Sequence, residues 1–320
     1  MIKRNNLLSL FRKKKLRIGV LLGGFSSERD ISLRSGKAVA DTLSTLGYPV
    51  KIIDIKKPSV KKSILDMDFA FITLHGKFGE DGTIQRILER YHIPYTGSGV
   101  IASKSAFDKS ITKRIFQRGK IPTAPYFITG IKHRAKKKYT LYALCPRLEY
   151  PVVIKPCNEG SSIGVSIVRN DKEFCHSLKD ASKYDSHILI EQYVKGREVT
   201  VGILGNSALP VIEIRPRQTF FSYSAKYQDK DTEYILNPNL SDKAMRLIQR
   251  TALKAYKALG CSGFARVDLI YSDEEEPVVL EINTIPGMTE RSLLPKAAYI
   301  SGIKFPQLCE KIIELSLRGR

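Results

Sequence analysis

The sequence has 320 residues, 42% of them hydrophobic and 27% charged, with no tryptophan. That length suggests about two domains of roughly 150 residues each. The apolar share excludes a disordered or fibrous chain, and no apolar run approaches the ~20 residues that a membrane-spanning helix needs. Lys and Arg outnumber Asp and Glu by 53 to 32, a net charge of +21.

The chain opens on part of that excess, since residues 1–17 hold seven basic residues and no acid. The apolar stretch there is too short for a signal peptide, a basic cluster follows it, and no small-residue cleavage site appears. Residues 1–15 therefore read as a retained basic extension, a solvated tail. Leu16 to Gly23 is an apolar run typical of a buried parallel strand, turning at Gly23-Gly24. Ser32 to Leu46 has helical spacing and Gly47 is its stop signal. Strands at Val50 to Ile55 and Phe69 to Leu74 follow, then a helix at Thr83 to Tyr91. This β/α alternation predicts an α/β unit on a doubly wound parallel sheet, spanning residues 16–108. Ligands of such sheets collect at the carboxyl ends of strands, where Gly23 to Glu28 and His75-Gly76 lie.

A helix around Ala106 to Gln117 leads into a second unit, residues 109–195. Pro122 and Pro125 break the pattern before another basic run, residues 131–148, with six basic residues and no acid. Without the two basic runs the excess drops from +21 to +8. Such charge could gain affinity for nucleic acid by releasing counterions. Neither run has the interleaved aromatics of a base-stacking platform, and no zinc-knuckle or helix-turn-helix spacing appears, so nucleic acid is disfavoured as a partner. A strand at Pro151 to Lys155 and another at His187 to Gln192 complete this unit. The third unit, residues 196–320, has strands at Glu198 to Leu204 and Leu209 to Ile214, then a long polar loop, residues 217–238. Loops of that length are uncommon and often act as lids. A helix at Asp242 to Leu259 precedes a closing hairpin. The five cysteines are odd in number and form no CxxC pair, against both a disulfide framework and a thiolate zinc site. They suit a reducing, cytoplasmic setting, and Cys157 reads as a buried inert thiol.

The hairpin carries the first chemical signal. Phe264 to Tyr271 and Pro277 to Asn283 alternate with period two, so Arg266 and Asp268 share a face, as do Glu281 and Asn283. A turn centred on Glu274-Glu275 sets Asp268 opposite Glu281 and Arg266 opposite Asn283. Opposed like charges destabilise a ladder unless a cation joins them, and hard oxygen ligands suit Mg²⁺ bridging phosphates. The second signal is Lys155 to Gly164, a strand end followed by small residues. There backbone N–H groups and the Ser161 and Ser162 hydroxyls can approach phosphate oxygens. It matches neither GxxxxGK[ST] nor GxGxxG. Lys109 and Lys155 can act as point charges for phosphates, Glu191 can accept from an adenine amino group, and Glu198 from ribose hydroxyls.

LLGGFSSERDISLRSG, LHGKFGEDGTIQ, PYTGSGVIASKSAFDK, VIKPCNEGSSIGV, AKYQDKDTEY, GFARVDL and LEINTIPGMTERSLLP occur in this order. Together, over roughly Leu16 to Leu315, they resemble the D-alanine–D-alanine ligases of the ATP-grasp superfamily. The resemblance implies three α/β domains with ATP between the central and C-terminal ones. It implies that Mg-ATP phosphorylates the carboxylate of one D-alanine and that the amine of a second displaces phosphate, serving peptidoglycan precursor synthesis.

By the same resemblance, Asp268, Glu281 and Asn283 hold two Mg²⁺ (or Mn²⁺) ions. Lys109, Lys155, Ser162, Glu191 and Glu198 bind ATP, and Lys226 closes over the γ-phosphate. Arg266 and the Gly287 N–H stabilise the oxyanion. Glu28 takes the first ammonium group with His75 nearby, and Ser292 and Leu293 receive the second carboxylate. Glu28, Ser161 and Tyr227 form a set that orients the second substrate. Tyr227 goes with amide formation rather than a D-alanine–D-lactate ester, the alternative being D-lactate or D-serine as second substrate. A homodimer is also implied. Phe25 departs from the usual small polar residue, which narrows the first amino-acid site. Cys157-Asn158 is an unusual entry to the phosphate loop, as is Glu290-Arg291 beside Ser292.

Overall fold

The computed structural model describes residues 4–58, 64–130, 140–215, 232–272 and 276–318. Strand β1 (Ile18–Gly23) is buried along its whole length, as its unbroken apolar run requires. It lies between the parallel strands β2 (Val50–Ile55) and β3 (Phe69–Ile72). Val39, Ala40 and Leu43 of helix α2 (Arg29–Thr45) share a core with Ile18 and Val20. Ile84 and Leu88 of α3 (Thr83–Arg90) share another with Leu21 and Ile72. Alternate residues of β1 thus feed opposite cores, and the predicted doubly wound arrangement is present.

The helix expected around Ala106 to Gln117 is instead two, α4 (Val100–Phe107) and α5 (Lys109–Arg118). Asp108 breaks them: its backbone is extended and its carboxylate accepts the N–H groups of Ser110 at 2.8 Å and Ile111 at 3.3 Å. That cap makes Lys109 the first helical residue.

The second sheet is antiparallel, in the order β4 (Tyr126–Gly130), β7 (His187–Gln192), β5 (Val152–Pro156), β6 (Ser166–Val168). Its edges β4 and β6 carry no long apolar run, which hid them from the sequence pattern. The short α6 (Leu141–Leu144) and α7 (Asp171–Ala181) cover it, with Phe174 and Leu178 in its core. The third sheet, also antiparallel, runs β10 (Glu233–Ile235), β9 (Ser207–Arg215), β8 (Arg197–Leu204), β11 (Phe264–Tyr271), β12 (Val278–Asn283). One face packs on α8 (Asp242–Ala258) through Ile248, Ala252 and Ala255. The other meets α9 (Leu293–Ile300) and α10 (Phe305–Arg318). Among the described residues no helix is long and apolar enough to cross a membrane, and no disulfide joins the cysteines.

The expected long loop, residues 217–238, is interrupted by strand β10, paired with β9. Residues 216–231, including Lys226 and Tyr227, lie outside the described residues, as do basic residues 134–138 and the hairpin turn at 273–275. The basic extension is not a solvated tail. Helix α1 (Arg4–Arg12) buries Leu7 and Phe11 in the core shared by α2 and α10. Phe11 stacks on Tyr48 with centroids 5.5 Å apart, and Lys14 pairs with Glu310 while donating to the Tyr48 hydroxyl at 3.0 Å. An amphipathic stripe (Leu7, Phe11) hidden among charges decides the outcome.

Candidate active site

Asp268 lies opposite Glu281 and Arg266 opposite Asn283 as expected, but a bulge after Asp268 shifts the register nearer the turn, where Leu269 faces Val279 and Ile270 faces Val278. Asp268 is buried and fully engaged. Arg266 forks onto it, Nε to Oδ1 at 2.9 Å and a terminal nitrogen to Oδ2 at 2.7 Å. Thr200 donates to Oδ1 at 2.6 Å and Asn283 Nδ2 to Oδ2 at 3.2 Å. Glu281 lies 3.8 Å from Lys109 Nζ. The two carboxylates are therefore each matched by a protein cation, so their opposition is balanced within the chain itself. The donor set still fits one: two carboxylates and an amide are hard oxygen ligands. Among the described residues no three His, Cys, Asp or Glu side chains gather into a closed site. Such a set suits Mg²⁺ shared with a bound phosphate better than a caged ion.

A cavity of about 330 Å³ lies between the second and third sheets, lined by Lys109, Lys155, Ser162, Glu191, Glu198 and Glu281 among others. Asp108 starts the helix at Lys109, whose Nζ donates to the Glu159 carbonyl at 2.6 Å. The loop after β5 is fixed by Asn158, whose backbone and side-chain nitrogens both donate to Asp185 Oδ2, at 2.9 and 2.8 Å. That gives the unusual Cys157-Asn158 entry a structural reason. Burial pushes the Cys157 thiol up to about 12, in keeping with an inert residue. Ser161 and Ser162 take positive φ, 49° and 58°, which non-glycine residues seldom adopt. Glu191 is buried between Lys155 and a lysine that sequence reasoning did not single out, Lys113. Burial opposes its ionisation, yet the two ammonium groups outweigh burial and bring the carboxyl to about 2.

At the carboxyl ends of β1 and β3, Glu28 begins α2 and accepts a hydrogen bond from Ser161, joining the first sheet to the phosphate-type loop. His75 is buried. Burial pulls its pKa down while Glu28 pulls the other way, and its Nε2 has no partner among the described residues. Gly76 has φ +69°, and a Cβ there would lie 2.8 Å from a Glu28 carboxylate oxygen, so only glycine fits. At the other end, Ser292 Oγ lies 3.1 Å from the Thr289 nitrogen, and a Cβ on Gly287 would come within 2.9 Å of it. Leu293 is the first residue of α9 and its side chain is core, so what it presents to a ligand is its backbone N–H. Glu290 and Arg291 are exposed. Phe25 does not narrow the Glu28 corner. Its ring packs on Phe78 with centroids 5.2 Å apart and lines a separate cleft, of which Glu28 is no part.

Glu80 also escaped sequence reasoning. It accepts the Gly76 N–H at 2.7 Å and so holds the turn that carries His75. Burial, with Glu28 and then Glu281 nearby and Arg266 opposing, pushes its carboxyl up to about 8 from an ordinary 4.5. Between those two values the folded chain binds the proton and the unfolded chain does not, so stability falls as pH rises through that window. Glu80→Gln keeps the acceptor for Gly76 and removes the titration. It is expected to melt several degrees above the wild type near pH 8.5, the gain vanishing by pH 5. Melting curves across that range check it, and a gain independent of pH would refute it.

Two antiparallel sheets that enclose a cleft, one bearing a lysine and small-residue loop and the other an acid-bearing hairpin, make up the ATP-grasp architecture. The family model for the D-ala D-ala ligase C-terminus matches residues 115–314, and that for the N-terminus residues 54–98. A D-alanine–D-alanine ligase of Methylacidiphilum infernorum is 46% identical over 301 residues, 93% of this chain and 95% of that protein. The crystal structure of the D-alanine–D-alanine ligase from Bacillus anthracis matches with a TM-score of 0.85 at 39% identity, covering 95% of this chain and 98% of that one. A structure of the ligase from that organism complexed with ATP matches with a TM-score of 0.83 at 36% identity over the same shares, 95% and 98%. The chain belongs to the D-alanine–D-alanine ligase family and is an enzyme of that class.

Proposed function

We propose that the chain joins two D-alanine molecules into D-alanyl-D-alanine at the expense of ATP, through an acylphosphate, for peptidoglycan precursors. The observation that carries this reading is the single cavity on which Lys109, Lys155, Glu191, Glu198, Asp268 and Glu281 converge from two sheets.

Lys109 and Lys155 meet the phosphates as point charges, and Ser162 and the loop N–H groups close around them. Lys226 comes over the γ-phosphate. Glu191 accepts from the adenine amino group and Glu198 from the ribose. Asp268, Glu281 and Asn283 would hold Mg²⁺ or Mn²⁺, two ions, which would neutralise phosphate charge. Glu28 pairs with the first ammonium group beside a neutral His75. Ser292 and the Leu293 N–H, at the start of a helix, receive the second carboxylate. Arg266 and the Gly287 N–H face the developing oxyanion.

Phosphate release with ATP, Mg²⁺ and D-alanine, compared with L-alanine and with D-lactate, tests the reading, and turnover indifferent to the amino acid would sink it. Glu28, Ser161 and Tyr227 orient the second substrate, so Tyr227→Phe is expected to raise ester relative to dipeptide product. An unchanged product ratio with D-alanine and D-lactate in competition would remove Tyr227 from that role. The same reading takes residues 16–108, 109–195 and 196–320 as the three domains, and a cytoplasmic homodimer as the working form.

A further inference from the structure

We infer that Lys113 is a positioning residue of the nucleotide site, holding Glu191 toward the base and tying that end of the cleft to the acid-bearing hairpin. This rests on the reading that Glu191 faces adenine. Lys113 stands one helical turn after Lys109 on α5 but, unlike Lys109, is not part of the cavity lining. It lies behind the wall, only 1% exposed. Its Nζ is 2.6 Å from Glu191 Oε2 and donates to Thr123 Oγ1 at 2.6 Å. The Tyr126 ring, on the strand that pairs with β7 opposite Glu191, lies 5.8 Å from the same nitrogen. Thr123 Oγ1 passes the connection on to the Val279 carbonyl at 3.3 Å, and the Val279 N–H donates to the Pro122 carbonyl at 2.9 Å. Val279 lies on β12, two residues before Glu281.

The physical cost of this arrangement argues for a role. A lysine taken wholly out of water gives up its hydration, a cost that an apolar side chain of similar volume would not carry. What Lys113 adds is orientation and sign. Each Glu191 oxygen is held by a different ammonium, Oε2 by Lys113 and Oε1 by Lys155. The carboxylate stays an acceptor with a fixed plane. Two cations against one carboxylate also leave that trio one positive charge in surplus, the sign that a nearby polyphosphate needs. Without Lys113, Glu191 has Lys155 as its one remaining cation. It then turns away from the base and draws Lys155 off the phosphates.

The test is the kinetics of Lys113→Met with ATP and with ITP, whose base carries a carbonyl where adenine carries the amine. The wild type is expected to prefer ATP. The variant is expected to raise KM for ATP about 10- to 100-fold, with kcat and the KM for D-alanine within about threefold of the wild type. Its preference for ATP over ITP should shrink. A general structural role would instead move both nucleotides and kcat together, and that outcome overturns the inference. If Lys113→Met does not fold, Lys113→Gln keeps a donor for Glu191 without the charge. It should raise KM for ATP less than tenfold and keep most of the ATP preference; loss of the whole preference there would count against the inference too. Calorimetric titration of each chain with ATP alone reads the same affinity without turnover. A failure of the ligase reading would then show in the wild type itself, separately from Lys113.

Discussion

Glu281→Gln is expected to reduce ligation turnover about a thousandfold or more while leaving the melting temperature within a degree or two of the wild type. Metal-assisted charge stabilisation in phosphoryl transfer supplies several kcal/mol, and each 1.36 kcal/mol is about a factor of ten. Glu281 is the sharper probe because its neighbours balance. The substitution gives up an ion pair with Lys109 at 3.8 Å and relieves the like charge of Asp268 directly opposite. Asp268→Asn would be ambiguous, since Arg266, Thr200 and Asn283 all donate to that buried carboxylate and would be left short of an acceptor. Phosphate release at saturating ATP, with a melting curve of the same preparation, decides the matter. Near-normal turnover in a folded Glu281→Gln chain would remove the hairpin from the chemistry.

The parts of the site that were legible in the sequence are those where local periodicity decides which way a side chain faces. Alternation along Phe264 to Tyr271 and Pro277 to Asn283 put Asp268 and Glu281 on facing positions, whereas the bulge after Asp268, which shifts the register by one residue toward the turn, left no mark in that pattern. The unbroken apolar run of β1 announced a strand buried on both sides in the same way. Groups defined by distant partners were not legible. Lys113 sits on a helix where a lysine ordinarily reaches solvent, and Glu191 and Thr123, which bury it, come from other segments. Glu80 lies inside a quoted motif, yet its task depends on Gly76 being held beside Glu28 by the fold. The break at Asp108 escaped because α4, which buries Ala102, Ser103, Ser105 and Ala106, shows no apolar stripe, and a capping carboxylate reads from sequence as one more polar residue. The protein cation that balances the opposed carboxylates was hidden for a related reason. Lys109 reaches the hairpin from α5, and no pattern within the hairpin reveals it.

Deleting residues 1–15 is expected to lower the melting temperature by about 5–10 °C. Leu7 and Phe11 leave a shared core, and burying such side chains contributes about 1.5–3 kcal/mol each. For a chain of this size a kcal/mol moves the transition by roughly 2 °C or a little more. The same deletion takes Lys14 from Glu310. Burial there raises the Glu310 carboxyl, but Lys14 and the Tyr48 hydroxyl outweigh it and hold the group below its ordinary range. Tyr48 also loses the Phe11 ring stacked on it. Helix α1 packs on α10, so truncation also uncovers the face of α10 that α1 covers. None of this touches the cleft, whose lining includes no residue of α1. Turnover well below the melting temperature should therefore match the full chain. A basic tail that serves nucleic acid would behave in the opposite way. The truncated protein would melt where the full chain does and lose a salt-sensitive affinity for DNA or RNA. Melting curves and a salt titration of DNA binding on both chains separate the two, and an unshifted melting temperature would return the extension to solvent.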